Sequence, residues 1–304
     1  MIDDPTAILA ALGIDTVDRA TRIQGGWDTL LWRVEADGKT YALRVFRPEQ
    51  AAVCEREALA MRALAPAGLP VPVVHARATW QTRPALLLSW ISGAPLLTQA
   101  QAQPWRVWQL GVAMGRMHAR IHRLPVADSL RRALPDWLAR AGELPPGLRR
   151  ELASAAESRQ PSLLHLDFHP LNVMAEGGRI TGVLDWANVA VGDRRADLAR
   201  TVTILRLAPA PPGTPAVVRL LRRMLEAAWR TGYQAGEPGQ PFDNLEPFYA
   251  WAGTLMERDL RPKLGRPGVW LQERDLRAVQ QWTADRMQRA GARAGHTLVG
   301  TNGR

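Results

Sequence analysis

The chain has 304 residues, of which 46% are hydrophobic and 22% charged, a composition that excludes a disordered or fibrous protein and is typical of a soluble globular one. Cys54 is the only cysteine, so an internal disulfide is excluded, and no apolar run approaches the roughly 20 residues of a membrane span. The acidic start Met1–Asp4 is unlike a signal peptide, which begins with basic residues. We therefore expect a cytoplasmic protein without a membrane partner, built as one large domain or two lobes.

The net charge is +10, which raises the alternative of a basic nucleic-acid-binding protein. Such a protein gathers its basic residues on one face. Here the arginines are scattered, often in pairs such as Arg131–Arg132 and Arg222–Arg223, and no nucleic-acid-binding motif is present. We expect solvated basic faces rather than a nucleic-acid partner.

The first part of the chain predicts strands between residues 22 and 46. Asp37-Gly38 separates two apolar runs and is typical of a hairpin turn. Gly25-Gly26 precedes these runs and forms either a loop that covers phosphates or an ordinary turn. Further along, the apolar spacing predicts a helix and then two strands, at residues 49–64, 73–80 and 85–91.

Helical patterns dominate after Ser92–Pro95, which we expect to be a hinge. Thr214-Pro215 predicts the start of one helix, and the capping box Asp243-x-x-Glu246 predicts the start of another. The tail from Ala290 onward is small and polar and is expected to be frayed. Other helices are predicted at 105–123, 129–141, 147–159 and 271–289.

Residues 165–172, His-Leu-Asp-Phe-His-Pro-Leu-Asn, carry the strongest chemical signal of the chain. They show the spacing H-x-D-x-x-x-x-N, of which chance alone would give about 0.004 copies in a chain with this composition. The kinase catalytic loop has the same spacing, with Arg where Leu166 stands. Asp167 supplies a carboxylate that accepts a proton, and Asn172 with Asp185 supplies oxygens for a divalent metal, which together indicate phosphoryl transfer.

Gly177-Gly178 lies between two apolar runs and predicts a two-residue hairpin turn, because both positions tolerate a positive φ. If Glu176 pairs with Arg179, then Asn172 lies opposite Val183. Asn172 and Asp185 would then project from one face as diagonal neighbours, close enough to share a metal. Mg²⁺ suits such a site, because it takes few protein ligands and completes its shell with phosphate and water.

Three segments together resemble the aminoglycoside phosphotransferase and choline kinase family: residues 165–172, Asp185-Trp186, and Gly192–Ala199 with its pattern G-D-x-x-x-D-L-A. The family often has Gly where Leu166 and Leu171 stand. The resemblance implies an α+β, two-lobed protein-kinase-like fold. A small antiparallel β lobe for the nucleotide would span residues 1–92, and a larger, mostly helical lobe for catalysis and substrate binding would span 93–304.

The resemblance also implies an ATP- or GTP-dependent transfer of the γ-phosphoryl group to a hydroxyl of a small molecule. Asp167 would orient and deprotonate the acceptor hydroxyl, while Asn172 and Asp185 would hold Mg²⁺. Arg44 would contact the nucleotide phosphates. The remaining implied residues are Glu57, which would brace Arg44, the phosphate-loop glycines Gly25 and Gly26, and His165 and Asp197, which would support the catalytic loop.

Two questions stay open at this level. Arg44 stands where the kinase strand carries Lys, and the Gly25-Gly26 loop is atypical, so a nucleotide-binding protein without turnover is the alternative. The acceptor is the second question. Acidic residues that could bind ammonium groups are interleaved with arginines, which favours a small acceptor with at most one positive charge over a polycationic aminoglycoside. These acidic residues are Glu226, Glu246, Glu257, Asp259, Glu273, Asp275 and Asp285.

Overall fold

The computed structural model describes residues 4–23, 29–157, 160–211, 213–237, 239, 241–266 and 269–299. The chain forms two compact units. The first unit comprises residues 1–96 and 171–189, and the second comprises 97–170 and 190–304. Segment 171–189 therefore groups with the N-terminal strands, whereas the sequence suggested one boundary at 92/93. The division of the chain into two lobes, residues 1–92 and 93–304, stays a prediction.

The first unit is built on a five-stranded antiparallel sheet with the order β1-β2-β3-β5-β4. Its strands are β1 (Arg19–Ile23), β2 (Leu30–Ala36), β3 (Lys39–Val45), β4 (Val74–Trp80) and β5 (Arg83–Ser89). On β3, Leu43 and Val45 are buried in a core that includes Ile8 of helix α1 (Thr6–Ala11). Because side chains alternate along a strand, Arg44 points to the other face of the sheet. There it meets helix α2 (Ala51–Leu64) through Glu57.

The hairpin that follows residues 165–172 completes the first unit. Strands β8 (Val173–Glu176) and β9 (Arg179–Val183) are joined by Gly177 and Gly178, whose φ angles of 60° and 86° confirm the predicted turn. Strand β8 also pairs with the short strand β6 (Ala94–Pro95), which lies in the predicted hinge segment.

The predicted register of this hairpin is wrong by one residue. Glu176 pairs with Arg179 as expected, but the pairing shifts between Met174 and Ala175. Val183 therefore lies opposite Val173, and the backbone carbonyl of Asn172 accepts a hydrogen bond from the backbone N–H of Leu184. The extra residue of a β-bulge changes which side chains share a face.

The second unit is mostly helical. Its helices are α3 (Leu96–Ala102), α4 (Val107–His122), α5 (Asp128–Ala133), α6 (Pro146–Glu157), α7 (Arg194–Leu207), α8 (Ala216–Gly236), α9 (Glu246–Leu260) and α10 (Glu273–Val299). A two-stranded sheet pairs β7 (Ser162–Leu164) with β10 (Ala190–Gly192). Helices α4 and α8 approach closely at Gly115, where a Cβ atom would overlap the backbone of Trp229. Over the described ranges, no helix is both long and apolar enough to cross a membrane.

Four predicted helix features differ from the structure. The helix predicted at 129–141 is split into α5 and a 3₁₀ turn, because Pro135 interrupts it. Thr214 does not cap α8, since its hydroxyl donates to the carbonyl of Pro211. The helix predicted to start at the Asp243 capping box has Leu245 as its N-cap residue, and Glu246 accepts two hydrogen bonds from Arg286. The tail expected to be frayed continues as helix α10 to Val299.

Candidate active site

In the first unit, Arg44 joins two carboxylates. Its Nη1 atom donates to Glu57 Oε1 at 2.5 Å, and its Nη2 atom donates to Asp185 Oδ1 at 3.1 Å. Its Nε atom donates to the hydroxyl of Thr29 at 3.2 Å. The ion pair predicted between Arg44 and Glu57 is therefore present. Gly25 and Gly26, the predicted phosphate-loop residues, lie outside the described residues.

The charge on Arg44 is secured by its surroundings. Burial alone would lower the pKa of Arg44, but the negative charges of Glu57 and Asp185 raise it above its ordinary value. Burial raises the pKa of Glu57 to about 7, while Arg44 and the backbone N–H of Trp186 act in the opposite direction. The guanidinium is thus held by three hydrogen bonds and offers a permanent positive charge to an anionic ligand.

Asp185 and Asn172 offer the oxygen donors of a possible metal site. Asp185 has a left-handed backbone, with φ 61° and ψ 67°, at the start of a 3₁₀ turn beginning at Trp186. Strand alternation therefore does not decide where its side chain points. A carboxylate and an amide oxygen are hard donors that suit Mg²⁺, and the Asp185 side chain is 37% exposed. This donor set fits the predicted metal.

In the second unit, Asp197 on α7 holds the loop that starts at His165 by its backbone. One carboxylate oxygen accepts the N–H of His165 at 2.6 Å, and the other accepts the N–H of Leu166 at 2.8 Å. Leu166 has φ 59°, a left-handed conformation that costs a residue with a Cβ about 1–2 kcal/mol. The fixed carboxylate and the burial of the Leu166 side chain stabilise a backbone shape that glycine adopts more easily.

Two histidines from α4 complete the surroundings of Asp197. The Nε2 atoms of His118 and His122 each lie 3.1 Å from Asp197 Oδ2, and the three side chains are fully buried or nearly so. On its other nitrogen, His122 contacts the hydroxyl of Tyr233 at 2.7 Å. The His118 ring stacks on Phe168 of the same loop, with centroids 4.1 Å apart. Helices α4, α7 and α8 thus support one loop through a single carboxylate.

Asp167 is the partly exposed end of this arrangement, with a side chain that is 22% exposed. Burial opposes its ionisation, but His169 and Arg200 outweigh that effect and hold the pKa of Asp167 below its ordinary value. His169 Nε2 lies 3.6 Å from Asp167 Oδ2. Arg200 also donates to the carbonyl of Leu166 and to Asp259. Asp167 is therefore an ionised carboxylate at neutral pH.

The structure brings together Arg44, Glu57 and Asp185 in the first unit, and the loop that starts at His165 with Asp197 in the second. Several contacting residues were not singled out from the sequence. His169 could have been noticed as the second histidine of the loop motif. The others are joined by tertiary packing and leave no local signal: Thr29, Arg200 and Tyr233.

The buried His118 should make stability depend on pH. Burial lowers the pKa of His118 to about 4 from 6.5, so the unfolded chain binds a proton between these values and the folded protein does not. The unfolding free energy should therefore fall as the pH drops from 6.5 to 4, by about 3 kcal/mol for this group. Urea unfolding at pH 7 and pH 4.5 measures the loss.

The His118→Gln variant should show a smaller loss between these two pH values than the wild type. His75→Gln, which changes an exposed histidine of β4, is the matched control and should keep the wild-type loss. An equal loss in His118→Gln and wild type would refute the assignment to His118.

The chain is similar to known proteins in both sequence family and fold. A model of the phosphotransferase enzyme family (APH) matches residues 19–238. None of the curated protein sequences compared matches the chain. Among solved structures, a thermostable mutant of aminoglycoside phosphotransferase APH(4)-Ia, in a ternary complex with AMP-PNP and hygromycin B, is 16% identical. That alignment covers 95% of this chain and 99% of the other, with a TM-score of 0.63.

Two further structures are similar. Aminoglycoside phosphotransferase APH(3'')-Id from Streptomyces rimosus is 18% identical, covering 82% of this chain and 96% of that one, with a TM-score of 0.56. An aminoglycoside-3'-phosphotransferase of type VIII is 20% identical, covering 78% of this chain and 93% of that one, with a TM-score of 0.57. At these identities the likeness shows the fold, which is the two-lobed α+β protein-kinase-like fold.

Because the family model spans more than half of the chain, the protein belongs to the phosphotransferase enzyme family. The predicted family resemblance and fold class are both confirmed.

Proposed function

We propose that the protein is a cytoplasmic small-molecule kinase, which transfers the γ-phosphoryl group of ATP or GTP to a hydroxyl group with the help of Mg²⁺. One observation carries this proposal above the others. The ionised Asp167 lies on a loop whose backbone Asp197 fixes with two hydrogen bonds. A similar structure that was solved with AMP-PNP supports a nucleotide donor.

On the acceptor side, Asp167 would take the proton of the attacking hydroxyl. Its low pKa makes it a weak base in isolation, so its main contribution is to orient the hydroxyl and to receive the proton as the new bond forms. The imidazole of His169 lies 3.6 Å from this carboxylate and contributes to the low pKa of Asp167. The fixed loop backbone reduces the entropy that must be lost to reach the reactive geometry.

On the nucleotide side, Arg44 would bind phosphate oxygens while Glu57 keeps the guanidinium in place. Asn172 and Asp185 would hold the metal. When bound, Mg²⁺ neutralises charge that develops on the phosphate oxygens. These residues position the donor, and in phosphoryl transfer positioning and charge stabilisation supply most of the catalysis.

The acceptor should carry at most one positive charge. The seven acidic residues that could bind ammonium groups all have partners, most of them arginines. Glu226 accepts from Arg206 and Arg230, and Asp259 accepts from Arg200. The same holds for Glu246 with Arg286, Glu257 with Arg261, Glu273 with Arg277, Asp275 with the backbone N–H of Gln272, and Asp285 with Gln281. A polycation would have to displace several of these partners.

A nucleotide-binding protein without turnover remains the alternative, because Arg44 replaces the usual Lys. The extended guanidinium contacts two carboxylates at once, whereas Lys ends in a single ammonium. This alternative predicts nucleotide binding with no acceptor consumed.

Replacing Asp185 with alanine should abolish Mg²⁺-dependent stabilisation by nucleotide. In the wild type, nucleotide at about 100 times its Kd stabilises the fold by about 2.7 kcal/mol, which raises the Tm. Thermal unfolding with ATP or GTP, each with and without Mg²⁺, measures the effect. Asp15→Ala, at an exposed position of the first unit, is the control and should retain the shift. The metal role of Asp185 is refuted by an equal shift in Asp185→Ala and wild type.

A further inference from the structure

Arg44 donates a hydrogen bond to Asp185, the residue proposed to hold the metal. All three guanidinium nitrogens are engaged, by Thr29, Glu57 and Asp185, and all four residues belong to the first unit. The guanidinium carbon also lies 5.1 Å from the ring centre of Phe46. We call Arg44 and its three hydrogen-bond partners the Arg44 bridge.

The two ionic contacts of the Arg44 bridge are unequal. The contact with Glu57 is 2.5 Å long and involves a carboxylate that is 1% exposed, whereas the contact with Asp185 is 3.1 Å long and that side chain is 37% exposed. Charge-assisted hydrogen bonds are strongest at about 2.7–2.9 Å or below, and exposed ion pairs are weakened by water. The contact with Asp185 is therefore the one that breaks first when a competing anion arrives.

Building on the proposed function, we propose that Arg44 holds Asp185 in the nucleotide-free protein and releases it when nucleotide phosphate takes its place on Nη2. Until then a divalent cation has to compete with a guanidinium for the same carboxylate, of which Arg44 contacts Oδ1. Metal and nucleotide consequently bind as a coupled pair, and the metal does not load first. Glu57 and Thr29 keep the guanidinium in position during this exchange.

The arginine at this position is what makes the bridge possible. A guanidinium presents separate donors in a fixed fork, so it contacts Glu57 and Asp185 together. A lysine ammonium at position 44 would be a single point charge, and the buried Glu57 would retain it. Arg44→Lys should therefore leave Asp185 freer for a metal without removing the positive charge.

The probe is Mn²⁺, whose binding to the nucleotide-free protein is measured by the loss of its free EPR signal. Nucleotide-free Arg44→Lys should bind Mn²⁺ at least about fivefold more tightly than wild type, the lower end of typical coupling between two sites. Thr29→Val, which removes only the Nε contact, should tighten Mn²⁺ binding in the same direction. Arg47→Lys, a charge-conserving change at an exposed arginine, is the matched control and should match wild type.

Asp185→Asn separates this inference from the proposed function. If Asp185→Asn with AMP-PNP still binds Mn²⁺ like the wild-type complex, Asp185 is not a metal ligand, and both the metal role and the bridge are wrong. If Asp185→Asn loses Mn²⁺ but nucleotide-free Arg44→Lys and Thr29→Val both bind Mn²⁺ no more tightly than wild type, the metal role stands and the bridge is overturned. Tighter Mn²⁺ binding in either variant, lost again when Asp185→Asn is added, supports the bridge.

Discussion

Replacing Asp167 with asparagine should lower the rate of phosphoryl transfer by about 10²–10⁴-fold while nucleotide affinity stays nearly unchanged. The amide keeps the shape of the side chain but cannot take the proton of the acceptor hydroxyl. His169 and Arg200 stabilise the ionised form of Asp167. In the variant they would face a neutral amide, and they would no longer hold this side chain in a productive orientation.

Steady-state consumption of ATP with an acceptor measures the rate of Asp167→Asn, and calorimetric titration with AMP-PNP measures its nucleotide affinity. Asp285→Asn is the matched control. Asp285 lies at the surface, in the part of α10 whose side chains the structure describes, and accepts a hydrogen bond from the nearby Gln281. Its rate and affinity should equal those of the wild type. Unchanged turnover in Asp167→Asn would show that Asp167 is not the acceptor's base.

Replacing Asp197 with asparagine should lower both stability and activity. The carboxylate is fully buried and faces two backbone N–H groups and two histidines. In the variant, the amide NH₂ is a donor and would face another donor, such as the N–H of His165 or Leu166. Both groups would then be buried without an acceptor. Removing one partner from such a buried charged arrangement costs about 3–5 kcal/mol. The loop that carries Asp167 would lose its anchor and position the acceptor less well.

Urea unfolding measures the stability of Asp197→Asn, and amide hydrogen exchange measures the protection of the His165 and Leu166 N–H groups. Both should decrease, while Asp128→Asn, at an exposed position in the first turn of α5, should leave them unchanged. Wild-type protection of the two amides in Asp197→Asn would contradict the anchoring role.

The sequence predicted those parts of the protein that depend on local spacing. Strands β2 and β3, the Gly177-Gly178 turn and the catalytic motif all follow from short patterns. The ion pair between Arg44 and Glu57 was predicted from the family resemblance. In each case the residues concerned lie close in the chain or occupy fixed positions of a known motif, so their geometry varies little between folds.

The register of the β8–β9 hairpin could not be predicted, because a bulge depends on contacts outside the hairpin. The hydroxyl of Thr181 donates to the carbonyl of Ser92, and a Cβ at Gly182 would overlap the side chain of Ile91. Both contacts join segments about 90 residues apart. They favour an extra residue in β9 that no alternation of apolar residues reveals.

Long-range ion pairs also overrode local helix signals. Glu246 fits a capping box by sequence, but Arg286, 40 residues later, takes its carboxylate. The contact between His122 and Tyr233 likewise depends on how α4 packs against α8. Such partners are chosen by tertiary packing, which competes with local hydrogen bonds for the same side chain.

The most direct test of the central claim is to follow ATP by ³¹P NMR with wild-type protein, Mg²⁺ and a panel of aminoglycosides, amino alcohols, macrolides and sugars. We predict that the γ-phosphate appears as a phosphomonoester on an acceptor with at most one positive charge, and that Asp167→Asn at the same enzyme concentration forms this product about 10²–10⁴-fold more slowly. Turnover of kanamycin-like compounds alone would overturn the acceptor class. Nucleotide binding with no phosphomonoester from any acceptor would contradict the claim that this protein is a kinase.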